Sequence, residues 1–149
     1  MLPPGVSTHL RFHEEVLGNG RILACGQNST ISPALIVIHG GKASSQAAVE
    51  YCKSFYEKLA DLGFIIFSID YPENMTLIEE INYIVEAIEY IQTKKFINPK
   101  KICIVGTSRG GYLALMAGVE SSLKCFVDAY GPTDLEEMFK HARRDPALW

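Results

Sequence analysis

Gly106-Thr107-Ser108-Arg109-Gly110 holds a serine between glycines in the pattern G-x-S-x-G. Such a serine is a candidate nucleophile for acyl transfer if the backbone turns sharply from strand to helix and lifts its hydroxyl clear of the chain. The flanking positions must be small, because that turn brings the strand and helix backbones together. Attack on a carbonyl also leaves negative charge on the former carbonyl oxygen, which preorganised N–H donors stabilise. His39-Gly40-Gly41 offers a glycine pair whose amides are free to point at a neighbouring site. The expected donors are the N–H of Arg109, beside the serine at a helix N-terminus, and that of Gly41 or Gly40.

A glycine-rich strand-to-helix turn also suits phosphate, but the details exclude it. A phosphate-binding loop requires Lys and then Ser or Thr after its last glycine, and here Tyr112 and Leu113 follow Gly111. The dinucleotide fingerprint needs glycine at its third position, where Ser108 stands.

Both motifs need strands behind them, and the hydropathy pattern supplies these. Short apolar runs rich in β-branched residues at 34–38, 64–69, 102–105 and 125–130 predict buried strands, the last interrupted by Asp128. Between them the period lengthens. Residues 44–62 place Ala48, Tyr51, Phe55, Leu59 and Leu62 on one helical face, and residues 77–95 do the same with Leu77, Ile81, Ile84, Val85, Ile88 and Ile91. Thr76 and Glu79 form a capping-box pattern before the second helix, and Lys94-Lys95 suit the negative end of its dipole. A third helix is predicted over 109–120. Thr133 with Glu136 opens a fourth over 134–142. This alternation predicts the α/β class, a three-layer α/β/α sandwich with a mostly parallel sheet. Ligands of such open sheets bind beyond the carboxyl ends of the strands, where both motifs fall. Residues 1–20 lack such patterning and are expected to be weakly structured.

The 149 residues are 48% hydrophobic and 21% charged, with 14 Lys+Arg against 17 Asp+Glu for a formal net charge of −3. That suits a single domain over 1–149 with a substantial core. Scattered cations give no electrostatic footprint for nucleic acid. Cys25, Cys52, Cys103 and Cys125 form no C-x-x-C pair and have no histidine at ligand spacing, so no metal site is expected. They read as small buried hydrophobes, free thiols in a chain too large to need disulfide staples. No apolar run approaches the ~20 residues of a membrane span, and the first residues lack the basic-then-apolar order of a leader. The expectation is a soluble, cytoplasmic protein with neither membrane nor nucleic acid as partner.

On His39-Gly40-Gly41, on Gly106 to Gly111 and on Tyr130-Gly131-Pro132-Thr133-Asp134, the sequence resembles the α/β-hydrolases over roughly residues 20–142. The nearest branch holds the prolyl-oligopeptidase-like and dienelactone-hydrolase-like esterases and peptidases. The resemblance implies a serine hydrolase acting on a small ester or peptide without a cofactor. Ser108 would be the nucleophile, and the amides of Arg109 and Gly41, with Gly40, the oxyanion hole. It further implies an acid and then a histidine after strands that would follow 125–130, so the chain reads as the amino-terminal portion of the domain, truncated before them.

Within the chain the order Ser108, Asp134, His141 is formally satisfied, with Asp134 as candidate acid and His141 as candidate base. The structural reading weighs more: Asp134 follows the expected N-cap Thr133, and His141 lies in a polar tail beside Arg143-Arg144. His39 reads as fixing its loop, and His9 and His13 as surface residues. Asp70 reads as a turn acid, because it precedes the serine. Asp128 is either a partnered buried acid or the mark of a partly exposed strand, and Arg109 either binds a substrate carboxylate or is solvated. Without a base, the alternative is a catalytically inactive hydrolase-like binding domain. The strand at 125–130 should be an unprotected edge that invites self-association.

Overall fold

The computed structural model describes residues 12–26, 31–41, 45–137 and 140. They form one six-stranded sheet with helices on both faces. In chain order the elements are β1 (Phe12–Leu17), β2 (Gly20–Cys25), β3 (Ser32–Ile38), α1 (Ser45–Leu59), β4 (Ile65–Asp70), α2 (Leu77–Gln92), β5 (Ile97–Thr107), α3 (Arg109–Glu120) and β6 (Cys125–Ala129). Across the sheet the order is β1-β2-β4-β3-β5-β6. Strands β4, β3, β5 and β6 run parallel, and β1 and β2 are antiparallel additions.

The alternation of side chains along each strand divides the core between two faces. Ile36, Ile38, Phe67, Ile69, Ile102 and Ile104 pack with Ile84, Ile88 and Ile91 of α2 and with Leu113, Ala114 and Ala117 of α3. Leu35, Val37, Ile66 and Leu23 face the other way onto Ala48 and Cys52 of α1. Two-sided burial is why these strands read as continuous apolar runs. The Thr76–Glu79 capping box forms as the spacing predicts. Leu62 falls past the end of α1, in a short 3₁₀ turn, and is exposed.

The expected weak structure over 1–20 is corrected for residues 12–20, which make β1 and the turn into β2. The turn is the two-residue loop Gly18–Asn19, with Gly18 at φ 55°. Strand β1 is largely exposed, so it lacks the apolar run that marks a buried strand, and His13, Glu14 and Glu15 blunt it as an edge. Polar contacts hold it down. Lys94 Nζ lies 2.8 and 2.6 Å from the two Glu15 carboxylate oxygens and over the Tyr90 ring, and the Tyr90 hydroxyl donates to Glu15 at 2.6 Å. Burial alone would raise the Glu15 pKa, but the bonds from Lys94 and Tyr90 outweigh it and hold the carboxyl below its usual range. Lys94 thus serves as the partner of Glu15, where the sequence suggests a cation for the helix dipole. Tyr83 of α2 donates to the Leu17 carbonyl at 3.1 Å.

The cysteines are also corrected. Cys25 is bonded to Cys52 and Cys103 to Cys125, and among the described residues no cysteine is free. The first pair joins neighbours on the α1 face, and the second stands at matching register on adjacent strands. Chain spacings of 27 and 22 residues carry no trace of either. No helix among the described residues is long and apolar enough to cross a membrane.

Strand β6 has β5 on one side and no strand on the other among the described residues, and Phe126 and Val127 are half exposed. The predicted fourth helix is described at 135–137 and at 140, the rest of that segment lying outside the described residues.

Two outcomes test this account. Lys94→Met should lower the free energy of urea unfolding by about 1–3 kcal/mol, because it leaves the Glu15 carboxylate partly buried without its cation. Peptide mapping under non-reducing conditions should recover the linked pairs Cys25–Cys52 and Cys103–Cys125.

Candidate active site

Strand β5 ends at Thr107 and α3 begins at Arg109, so Ser108 occupies the one-residue turn between them. Its backbone sits at φ 52°, ψ −126°, a conformation that costs a non-glycine residue about 1–3 kcal/mol. Surrounding contacts hold it there. A Cβ at Gly106 would collide with the carbonyl of Gly110, and one at Gly110 with the carbonyls of Ile38 and His39. The flanking glycines are therefore required by backbone packing, as the motif predicts. The Ser108 amide donates to the Ala129 carbonyl at 3.1 Å, tying the turn to β6.

Ser108 is exposed at the carboxyl end of the sheet, beside the N-terminus of α3, whose first amides have no partner within the helix. The loop after β3 reaches the same place. A Cβ at Gly40 would lie 2.7 Å from the Thr107 carbonyl oxygen and 2.9 Å from the Ser108 Cβ, so only glycine allows this approach. Gly41 follows, exposed and at φ 72°. Ser108, Arg109 and Gly40 are thus brought together, with Gly41 next in the chain.

His39 holds the loop from beneath. Its ring is fully buried and stacked on Tyr71, with centroids 4.6 Å apart and planes 10° from parallel. The Tyr71 hydroxyl donates to the His39 carbonyl at 3.2 Å. Nδ1 lies 3.1 Å from the Gly40 carbonyl oxygen, which can only accept, so Nδ1 carries the proton. Nε2 is buried and has no partner among the described residues. Burial lowers the His39 pKa, outweighing the Gly40 bond and the charges of Asp70 and Glu80, so the ring is neutral and structural.

The acids singled out in the sequence have partners of their own. Asp70 is bonded through Oδ2 to Arg21, at 3.0 Å from Nε and 2.6 Å from a terminal nitrogen. Asp128 is half-buried and accepts the Gly131 amide at 2.7 Å, so it has a partner although its strand is partly exposed. Asp134 is exposed and accepts the Glu137 amide at 2.9 Å, which makes it the helix cap one residue later than Thr133. His13 is exposed beside Glu15, whereas His9 and His141 lie outside the described residues. Among the described residues Ser108 makes no side-chain cap bond, and no cluster of His, Cys, Asp and Glu could hold a metal ion.

Two features escape the sequence. Arg109 is neither free nor fully solvated, for it is 2.7 Å from Glu80, a buried carboxylate on α2. Glu80 looks like one more surface acid of that helix, and its burial follows only from the docking of α2 against α3. Tyr51 on α1 bonds Thr107 Oγ1 at 2.7 Å across 56 residues of chain, which no local pattern signals.

Comparison with known proteins identifies the family and the fold. The BD-FAE family model matches residues 22–147. The hyperthermophilic esterase of the archaeon Pyrobaculum calidifontis superposes with a TM-score of 0.71 at 20% identity, over 84% of this chain and 45% of that one. A thermostable esterase from Pseudomonas putida ECU1011 gives 0.71 at 14%, over 85% and 45%. Carboxyl esterase 2 of the fungus Tuber melanosporum gives 0.69 at 18%, over 88% and 48%. The chain therefore spans just under half the length of these enzymes.

The neutral, buried His39 has a consequence for stability. Its pKa is depressed in the fold, so the unfolded chain binds the proton more readily near the ordinary value of 6.5. The contribution is intact above that pH and lost as pH falls below it, at a slope of at most about 1.4 kcal/mol per pH unit for one proton. Thermal unfolding between pH 7.5 and 5.5 should show this decline, and His39→Asn should flatten it.

Proposed function

Because the chain belongs to the BD-FAE family and has the α/β-hydrolase fold, we propose that it is the nucleophile-bearing part of a serine esterase. The observation that carries this reading is Ser108 itself, exposed and strained at the end of β5, with Gly40 beside it and the first amide of α3 next to it.

In this reading Ser108 Oγ attacks the carbonyl carbon of a small ester while its proton passes to a base. The carbonyl electron pair moves onto oxygen, where the amides of Arg109 and Gly41, with Gly40 alongside, take up the charge. Collapse expels the alcohol and leaves an acyl-serine, which water hydrolyses to restore the hydroxyl. No cofactor enters these steps. The base is a histidine, either His141 or one outside this chain. Esters are favoured over peptides because the enzymes that share the fold are esterases. Self-association through the side of β6 that pairs with no strand among the described residues accompanies this reading.

A fluorophosphonate probe should modify wild-type protein at Ser108 and leave Ser108→Ala untouched, as read by mass spectrometry. Hydrolysis of p-nitrophenyl acetate should fall at least ~100-fold in the same variant. Folded wild-type protein that takes up no probe would sink the enzyme reading for this chain and favour the inactive binding domain.

A further inference from the structure

We propose that Tyr51 is a positioning residue that couples the loop after β3 to the turn bearing Ser108, an inference that rests on the reading of Ser108 as nucleophile. Tyr51 lies in the second turn of α1, and its ring stands edge-on to His39, with centroids 6.5 Å apart and planes at 68°. Phe55 packs against it at 6.2 Å. Its hydroxyl is 2.7 Å from Thr107 Oγ1, with either oxygen able to donate. Tyr51 thus touches the ring that fixes the loop and the residue that immediately precedes Ser108.

The position of that bond gives it leverage. Thr107 is β-branched, so holding its Oγ1 holds its single χ1 angle and, with it, the backbone that leads into Ser108. The Thr107 carbonyl is the surface against which Gly40 packs. Rotation of the Thr107–Ser108 peptide would shift that carbonyl and change the spacing between the Gly41 amide and Ser108. Ser108 occupies a backbone conformation that relaxes unless its neighbours hold it, and on the α1 side the holding contact is this hydroxyl pair. Purely structural packing would depend on the ring of Tyr51 and not on its oxygen.

Tyr51→Phe keeps the ring and removes the oxygen, and Thr107→Val removes the other partner at nearly constant shape. With the fluorophosphonate probe, each variant should lower the maximal rate of Ser108 modification about 3- to 10-fold while leaving the half-saturating probe concentration and the thermal midpoint near wild type. The double variant should be no slower than the slower single. Hydrogen exchange in the segment 105–112 should quicken in Tyr51→Phe while exchange in α2 stays unchanged. A Tyr51→Phe protein with wild-type modification rate and wild-type exchange at 105–112 overturns the proposal. If the wild-type chain takes up no probe, the esterase reading fails, and the exchange measurement alone decides for or against Tyr51.

Discussion

The constraint on which the rest depends is the contact of three backbones at the carboxyl end of the sheet. The loop leaving β3, the end of β5 and the first turn of α3 approach so closely that side chains at Gly40, Gly106 and Gly110 would collide with neighbouring main chain. A packed interior transmits such contacts rigidly. The strained Ser108 backbone is stable because the strand before it and the helix after it pack into the same core, Ile102 and Ile104 with Leu113, Ala114 and Ala117, leaving the turn no room to relax.

Charges reinforce that frame from the side. Glu80 reaches from α2 to Arg109 at the start of α3, so the guanidinium beside the serine is held by a buried carboxylate. Asp70 at the end of β4 is engaged by Arg21 of β2, and Glu15 of β1 by Lys94 beyond α2. Each pair joins elements far apart in sequence, and each has one partner largely shielded from water. Their value lies in registering helix against helix and strand against strand.

Where a residue's environment is set by its near neighbours in sequence, the sequence is legible. The apolar runs over 34–38, 64–69 and 102–105 announce β3, β4 and β5, because burial on both faces leaves no place for polar residues. The start of α2 is written in Thr76 and Glu79, and the turn at Ser108 in its glycines. Where the environment comes from elsewhere in the fold, legibility fails. Phe12–Leu17 is solvated on most of its surface, so only Gly18-Asn19-Gly20 could have signalled the hairpin. Glu80 and Glu79 are adjacent acids, yet one is buried against α3 and the other caps its own helix. The Tyr51–Thr107 bond and the cysteine pairs depend on which helix lies over which strand, a tertiary fact with no periodic trace.

The two edges of the sheet differ. Its two outer strands are the first and the last of those described: β1, clamped by Tyr83, Tyr90 and Lys94, and β6, unpaired on its outer side among the described residues. Apart from β4, which slots between β2 and β3, each strand is laid down on the far side of its predecessors. The turn that bears the hydroxyl therefore depends on a strand that follows it in the chain, because the carbonyl that accepts the Ser108 amide belongs to Ala129 of β6.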